Sequence, residues 1–163
     1  MTLKIVPSQE SHFTGLRDAL DIVAREKRFL VFTQAPPLDQ CVAFYRSIFL
    51  HGHCQFIAEI DGSVVGWCDL LPVRGEVRAH VAELGIGLIP SARHRGIGKM
   101  LIRAAIDKDW EKGLTRIELS VRIDNANAKA LYERMGFQTE GVHRRAFLVD
   151  GDYFDSVAMA LLR

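Results

Sequence analysis

The segment ELGIGLIPSARHRGIGKML, from Glu83 to Leu101, places the strongest constraint on how this chain can fold. It begins as an apolar strand closed by Pro90 and continues, after a basic turn with two closely spaced glycines, as an apolar run at helical spacing. It therefore predicts a strand, a turn and a helix that begins near Gly96. The first turn of a helix presents unpaired backbone N–H groups and the positive end of the helix dipole, and glycine lets a ligand approach that backbone closely.

The same turn carries basic side chains that suit a phosphate group: Arg93, His94, Arg95 and Lys99. An arginine can hold phosphate oxygens through two parallel hydrogen bonds. A lone Gly-x-Gly with basic neighbours is more often a solvated loop that only opens a helix. By itself, the motif leaves both interpretations open.

Two other phosphate motifs are excluded by position. Gly85 and Gly87 form a second Gly-x-Gly, but Pro90 stands where a dinucleotide-binding fingerprint needs its third glycine. The sequence contains no Gly-Lys-Ser or Gly-Lys-Thr, which a nucleoside-triphosphate P-loop requires. A Rossmann domain, a kinase and an ATPase are therefore not expected.

The remaining chain alternates between strand-like and helix-like segments. Asp61-Gly62 and Asp150-Gly151 each separate two apolar runs, as expected of tight β-hairpin turns. Helical spacing marks four segments, led by Phe13, Leu38, Ile97 and Ala128, and strands are expected at LKIVP, HVAELGIGLIP and RIELSV in addition to the hairpins. These elements predict one α/β domain over residues 1–163, with a mixed, mostly antiparallel sheet of about six to seven strands and helices on both faces.

Charge and composition narrow the classes of partner. The 21 Lys and Arg residues against 20 Asp and Glu leave a net charge of +1, so we expect neither a nucleic-acid nor a membrane partner. No apolar run approaches the length of a membrane span. Because Cys41, Cys54 and Cys68 are odd in number and scattered, we expect free thiols and a cytoplasmic location.

Two motifs in the second half of the chain resemble those of the GNAT superfamily of N-acetyltransferases. The turn from Arg93 to Gly98 resembles its coenzyme A signature, and NANAKALYERMGF, from Asn125 to Phe137, is similar to its Asn-x-x-Ala-x-x-Leu-Tyr-x-x-x-Gly-Phe segment. The resemblance covers residues 83–137. It implies acetyl-CoA as co-substrate, bound between two splayed neighbouring strands, with the pyrophosphate on the turn amides of Arg93, His94, Arg95, Gly96, Ile97, Gly98 and Lys99.

The resemblance also implies roles for single residues. Asn125 would bind the pantetheine arm, and the Tyr132 hydroxyl would donate a proton to the departing sulfur. A phenol is protonated at neutral pH and can perform that task. The backbone N–H near Leu88 would polarise the thioester carbonyl. Glu83 is a candidate for the general base, with His80 behind it, although Glu83 could instead face solvent or bind a cationic substrate.

Several alternatives stay open at this level. Asp69 and Asp155 are further carboxylates on expected strands, and nothing in the sequence ranks them. Trp67 and Phe154 are candidates for the acceptor pocket. The resemblance implies that the walls of this pocket come largely from the first helices and their loop, about residues 28–38, and from the final strands. The acceptor would be a small-molecule or peptide amine. No metal site is expected, because the HGHC cluster from His51 to Cys54 lacks a second ligand pair.

The leading hypothesis is an acetyl-CoA-dependent N-acetyltransferase in which the amine attacks the thioester directly in a ternary complex. The alternative is a catalytically silent acyl-CoA-binding sensor or scaffold, in which Tyr132 would be dispensable. A homodimer is one alternative for the oligomeric state, because edge strands of such sheets often pair between copies.

Overall fold

A computed structural model describes all 163 residues of the chain. One seven-stranded sheet forms its centre, with the strand order β1-β2-β3-β4-β5-β7-β6. The strands are β1 (Leu3–Pro7), β2 (Cys54–Ile60), β3 (Ser63–Pro72), β4 (Val81–Leu88), β5 (Arg116–Arg122), β6 (Gln138–Val149) and β7 (Asp152–Leu162). All neighbouring strands are antiparallel except β4 and β5. The predicted fold class is confirmed.

Four helices cover the two faces of this sheet: α1 (Phe13–Arg25), α2 (Leu38–Leu50), α3 (Ile97–Glu111) and α4 (Ala126–Arg134). Side chains of α1 and α2 pack with Ile57 and Trp67 on one face. The larger apolar cluster, which includes residues of α3 and α4, covers the other face. None of the four helices combines the length and the apolar composition needed to cross a membrane.

The hairpin turns form for the reason that the sequence suggests. Asp61 and Gly62 have φ angles of 49° and 84°, and Asp150 and Gly151 have φ angles of 49° and 86°. Positive φ at both central residues defines the type I′ turn, which matches the twist of paired strands. Strand β4 is shorter than its pattern suggests, because a single turn of 3-10 helix over Pro90–Ala92 follows it.

The parallel pair creates the feature that positions the site. Strands β4 and β5 are aligned at only three residue pairs, from Val81↔Arg116 to Glu83↔Glu118. Beyond Glu83, β4 stays paired with β3 as far as Leu88, and β5 stays paired with β7 as far as Arg122. The sheet is therefore open between β4 and β5 over the second half of both strands.

Candidate active site

A cavity of about 990 Å³ occupies this opening and continues beneath α1 and α2. Its cofactor half, as we name the part on the α3 side, includes the turn before α3 and the inner side of α4. Its acceptor half, as we name the part on the α1 and α2 side, is formed by residues of β2, β3 and β4 and by the segment that joins α1 to α2. A thioester held in the opening would thus be reachable from both sides of the sheet.

The turn before α3 offers the backbone donors that its sequence predicts. Gly96 precedes the helix with a φ of 80°, which glycine adopts without strain. None of the amide N–H groups from His94 to Lys99 donates a hydrogen bond within the chain. Ile97 is buried and holds the turn in the core. Gly98 is also buried, and a Cβ atom there would contact the side chains of Leu131 and Leu88. These donors fit the pyrophosphate of coenzyme A, and the positive end of the α3 dipole adds to the attraction.

The structure assigns different surroundings to the basic side chains of that turn. His94 and Lys99 line the cavity, as predicted. Arg95 does not line the cavity, because its guanidinium lies against the sulfur of Met1. This placement does not support the predicted role of the Arg95 side chain.

Arg93 lines the cavity, but its guanidinium already has partners within the chain. Its two terminal nitrogens donate to the Glu26 carboxylate at 2.8 and 2.5 Å, and Nε donates to the Leu88 carbonyl at 3.0 Å. The guanidinium carbon also lies 4.7 Å from the centre of the Phe29 ring. Arg93 therefore connects the end of α1 to the end of β4. A phosphate group would have to compete with Glu26 and Leu88 for the Arg93 guanidinium.

The β4 backbone beside the opening has donors that the sheet does not use. Ile89 N donates to Val65 of β3 at 2.9 Å. Because N–H groups alternate in direction along a strand, the neighbouring N–H of Leu88 points towards β5, which has by then diverged. This arrangement suits the predicted contact of Leu88 N–H with a thioester oxygen.

Asn125 and Tyr132 both line the cavity from α4. Asn125 is the N-cap of that helix, because its side-chain oxygen accepts the N–H of Ala128 at 3.3 Å. Its amide NH₂ group donates to nothing within the chain. Tyr132 is buried, with its ring 5.8 Å from that of Phe137, and its hydroxyl makes no hydrogen bond within the chain. Burial raises the pKa of Tyr132 above its ordinary value, so the hydroxyl remains protonated.

The acceptor half contains two carboxylates. Glu83 is exposed, lines the cavity and forms no ion pair or hydrogen bond. Asp69 lies deeper on β3, and Gln55 donates to one of its oxygens at 2.9 Å. Burial raises the pKa of Asp69 to about 7, and the hydrogen bond from Gln55 opposes part of this rise.

Other candidates from the sequence lie elsewhere. His80 is exposed and outside the cavity. Phe154 also lies outside it, beneath the Arg122 guanidinium at 3.8 Å, and Asp155 accepts the backbone N–H of Arg145. No group of three or more His, Cys, Asp or Glu side chains is arranged to hold a metal ion.

The structure adds residues that sequence reasoning missed. Gln55 and Glu26 are polar residues with no motif around them. The pairing of β2 with β3 brings Gln55 to the cavity. Glu26 does not line the cavity but accepts hydrogen bonds from Arg93, which does, and Arg28 lines it from the start of the predicted wall segment. Trp67, a predicted pocket residue, lines the cavity, and further aromatic walls come from Phe29, Phe32, Phe44, Tyr45 and Phe147. The segment after α1 carries no motif, and only the resemblance to the GNAT superfamily implied that residues 28–38 form a wall of the pocket.

Comparison with known proteins agrees with this geometry. The model of the acetyltransferase (GNAT) family matches residues 17–137, well over half of the chain. The L-amino acid N-acetyltransferase AaaT of Escherichia coli is 36% identical over 111 residues, which cover 67% of this chain and 68% of that protein. The N-alpha-acetyltransferase RimI of Mycobacterium tuberculosis is 42% identical over 94 residues, 58% of each chain.

Solved structures show the same fold over the whole chain. The structure of yncA from Salmonella typhimurium with its cofactor acetyl-CoA superposes with a TM-score of 0.93 at 17% identity and covers 99% of this chain and 94% of that one. The ribosomal-protein-alanine N-acetyltransferase of Brucella melitensis also superposes with a TM-score of 0.93, at 22% identity, with 98% and 99% covered. With the open strand pair and the free amides before α3, these matches show that the chain belongs to the GNAT family and is an acetyl-CoA-dependent N-acetyltransferase that acts on an amine.

Proposed function

We propose that the acceptor is the amino group of a small molecule that also carries a carboxylate and an apolar side chain, as a free L-amino acid does. The observation that carries this proposal is the composition of the acceptor half, where aromatic side chains, the carboxylates of Asp69 and Glu83, and Arg28 line the same cavity. Each of these parts suits one group of such an acceptor. The relative AaaT, named for L-amino acids, supports the same choice.

Arg28 is the residue that would recognise the acceptor's carboxylate. Its side chain is more than half exposed, and its nearest ionic partner is Asp124 at 3.9 Å. It makes no hydrogen bond within the chain, so its N–H donors are available for a planar carboxylate. A peptide N-terminus lacks a carboxylate next to its amine and would leave Arg28 unused. Relatives named for ribosomal protein alanine make such a peptide the second candidate.

The chain's own groups would divide the work of acetyl transfer. The free amides from His94 to Lys99 would bind the pyrophosphate, and Asn125 would bind the pantetheine arm through its NH₂ group. Leu88 N–H would stabilise the negative charge that develops on the carbonyl oxygen. Tyr132 would supply a proton to sulfur, and Glu83 is the exposed carboxylate that would attract or deprotonate the amine.

A matched pair of acceptors tests the acceptor class. Release of the coenzyme A thiol is measured with each of the twenty L-amino acids, with phenethylamine, which is phenylalanine without its carboxylate, and with a peptide that begins with alanine. We expect an apolar L-amino acid to exceed both other probes in kcat/KM. In Arg28→Met that preference should fall at least tenfold, whereas Arg103→Met, an exposed change on α3, should preserve it. A higher rate with the peptide, or an unchanged preference in Arg28→Met, would contradict the proposal.

Three further expectations stand as proposals. The three cysteines are all buried free thiols, which supports a cytoplasmic location. The net charge of +1 supports the absence of nucleic-acid and membrane partners. Edge strands β1 and β6 leave backbone groups unpaired, which supports a homodimer. Light scattering during gel filtration tests the last proposal, and a monomer at micromolar concentration would contradict it.

A further inference from the structure

Asp69 is the carboxylate of the acceptor half to which the sequence assigned no role. It lies on β3 between Gln55 of β2 and Gly85 of β4, which are its neighbours across the sheet. A Cβ atom added at Gly85 would lie 3.9 Å from Asp69 Oδ2. Because Gly85 has no side chain, that oxygen faces open cavity, one strand away from the opening between β4 and β5.

The hydrogen bonds around Asp69 leave acceptors without donors. Gln55 Nε2 donates to Asp69 Oδ1 at 2.9 Å, and Asp69 Oδ2 accepts nothing from the chain. Gln55 Oε1 is buried and also lacks a partner. Buried acceptors are nearly always paired in proteins, so the unpaired Gln55 Oε1, next to the cavity-facing Asp69 Oδ2, indicates a place for N–H donors from a ligand. An amino group is the one part of the acceptor that brings them.

Gln55 also gives both charge states of Asp69 a partner. Its NH₂ group donates to the carboxylate form. Rotation of the amide by half a turn would let Oε1 accept the O–H of the protonated form. A side chain that can serve either state allows its partner to gain and lose a proton without leaving its position. This is the behaviour required of a general base.

The charged and titratable groups around Asp69 do not neutralise it. No lysine or arginine forms an ion pair with it. The titratable groups that face or adjoin it are Tyr45 from α2, Cys54 from β2, its neighbour Cys68 and Glu83 from β4, and Arg17 of α1 lies beyond Tyr45. Burial without a cation raises the pKa of the Asp69 carboxyl to about 7, where a base is most effective at neutral pH.

We propose that Asp69, oriented by Gln55, is the general base that takes the proton from the acceptor's ammonium group, and that exposed Glu83 only attracts that cation. The proton passes from R–NH₃⁺ to Asp69 Oδ2. The nitrogen lone pair then forms the C–N bond as the C–S bond breaks, and the electron pair of the C–S bond leaves with sulfur, which takes the proton of the Tyr132 hydroxyl. The nitrogen loses a second proton to water, and the proton held by Asp69 returns through solvent to Tyr132. The products are therefore the amide, the free thiol and one released proton. This inference rests on the proposed acceptor chemistry.

The pH dependence of kcat/KM separates the two carboxylates. With the best L-amino acid from the panel above, the parent should lose activity as pH falls through about 7. Asp69→Asn should be at least 100-fold slower at pH 7 and should approach the parent as pH rises, since an amine that is already neutral needs no base. Glu83→Gln should raise KM but preserve the acid limb. Asp109→Asn removes another buried carboxylate with a raised pKa, outside the cavity, and should change neither quantity.

Two readouts keep the result decisive. Acetyl-CoA should stabilise Asp69→Asn and the parent equally. If it stabilises neither protein, the proposed function is refuted rather than this inference. If no panel amine is acetylated, or if the variant fails to fold, ¹³C NMR of the aspartate carboxyl carbons in the parent decides. One aspartate carboxyl other than that of Asp109 should titrate near pH 7. An acid limb that disappears in Glu83→Gln but persists in Asp69→Asn, or no such titration, would overturn the inference.

Discussion

Tyr132 brings a single hydroxyl to a cavity wall that is otherwise apolar at that point. Its ring packs on Phe137, while the hydroxyl has no partner within the chain, so the side chain serves the core and remains available to a ligand. Replacement by Phe should therefore leave the packing intact. It would remove only the proton donor.

We expect Tyr132→Phe to lower kcat about 100-fold, the typical range for a general acid, with unchanged stabilisation by acetyl-CoA. Steady-state kinetics and a thermal-shift titration measure the two quantities. Tyr153→Phe changes an exposed tyrosine on β7 and serves as the control. Full activity in Tyr132→Phe would show that Tyr132 has only a structural role, through its ring.

Asp109 makes stability depend on pH. Burial raises the pKa of its carboxyl to about 6, and Lys112, 3.9 Å away, offsets part of this rise. The unfolded value is about 3.9, so the folded state holds the proton more tightly. The stability linked to this group is therefore fully present below about pH 4 and is lost as pH rises through 6.

Asp109→Asn should abolish that loss. Relative to the parent, its free energy of unfolding should increase by about 1–3 kcal/mol between pH 4 and pH 7.5, as a shift of this size implies. Urea denaturation at both pH values measures the change. Asp107→Asn, an exposed substitution on the same helix, should show no such difference.

At the scale of elements, Gly98 in the first turn of α3 lowers helix stability but leaves the backbone amides accessible to a ligand. A Cβ atom at Gly98 would meet Leu131 at 3.4 Å and Leu88 at 3.6 Å, which are ordinary contacts. Gly98→Ala should therefore fold and gain up to about 1 kcal/mol from helix propensity. The added methyl group would occupy space beside the free amides, so we expect the Kd for acetyl-CoA to rise about tenfold. Gly141→Ala, on open β6, is the matched control.

Arg93 couples the segment after α1 to the turn before α3. Arg93→Lys should lose the paired hydrogen bonds to Glu26 and the bond to Leu88, because lysine lacks the planar fork. We expect faster hydrogen exchange over residues 27–36 and a rise in KM for both substrates. A rise confined to acetyl-CoA, without faster exchange, would instead favour a direct phosphate contact. Glu26→Gln should reproduce the exchange effect.

The sequence predicts most of these elements because their signals are local. The type of each hairpin turn follows from its two central residues alone, Asp61-Gly62 and Asp150-Gly151, and Gly96 marks the start of α3. The site is less accessible to such reasoning. Gln55 gains its importance only from the register that places it opposite Asp69, and Glu26 only from a contact with a residue 67 positions away. No local pattern encodes these pairings.

For the whole molecule, we propose that residues 1–163 unfold as one domain. The two apolar clusters lie on opposite faces of one continuous sheet, so neither can lose its strands without disturbing the other. Calorimetric and van't Hoff enthalpies should agree to within about 10% for a two-state transition. Two resolved transitions would show that the half-sheets on either side of the opening unfold separately.

The three aligned residue pairs between β4 and β5 have a consequence beyond catalysis. Where those strands diverge, an acyl-CoA molecule would occupy the gap and contact backbone groups that a neighbouring strand would otherwise pair with. Since a ligand bound only by the folded state stabilises it in proportion to the logarithm of its concentration, resistance to proteolysis should follow the acyl-CoA supply. A starved cell would then hold fewer molecules of this enzyme as well as slower ones.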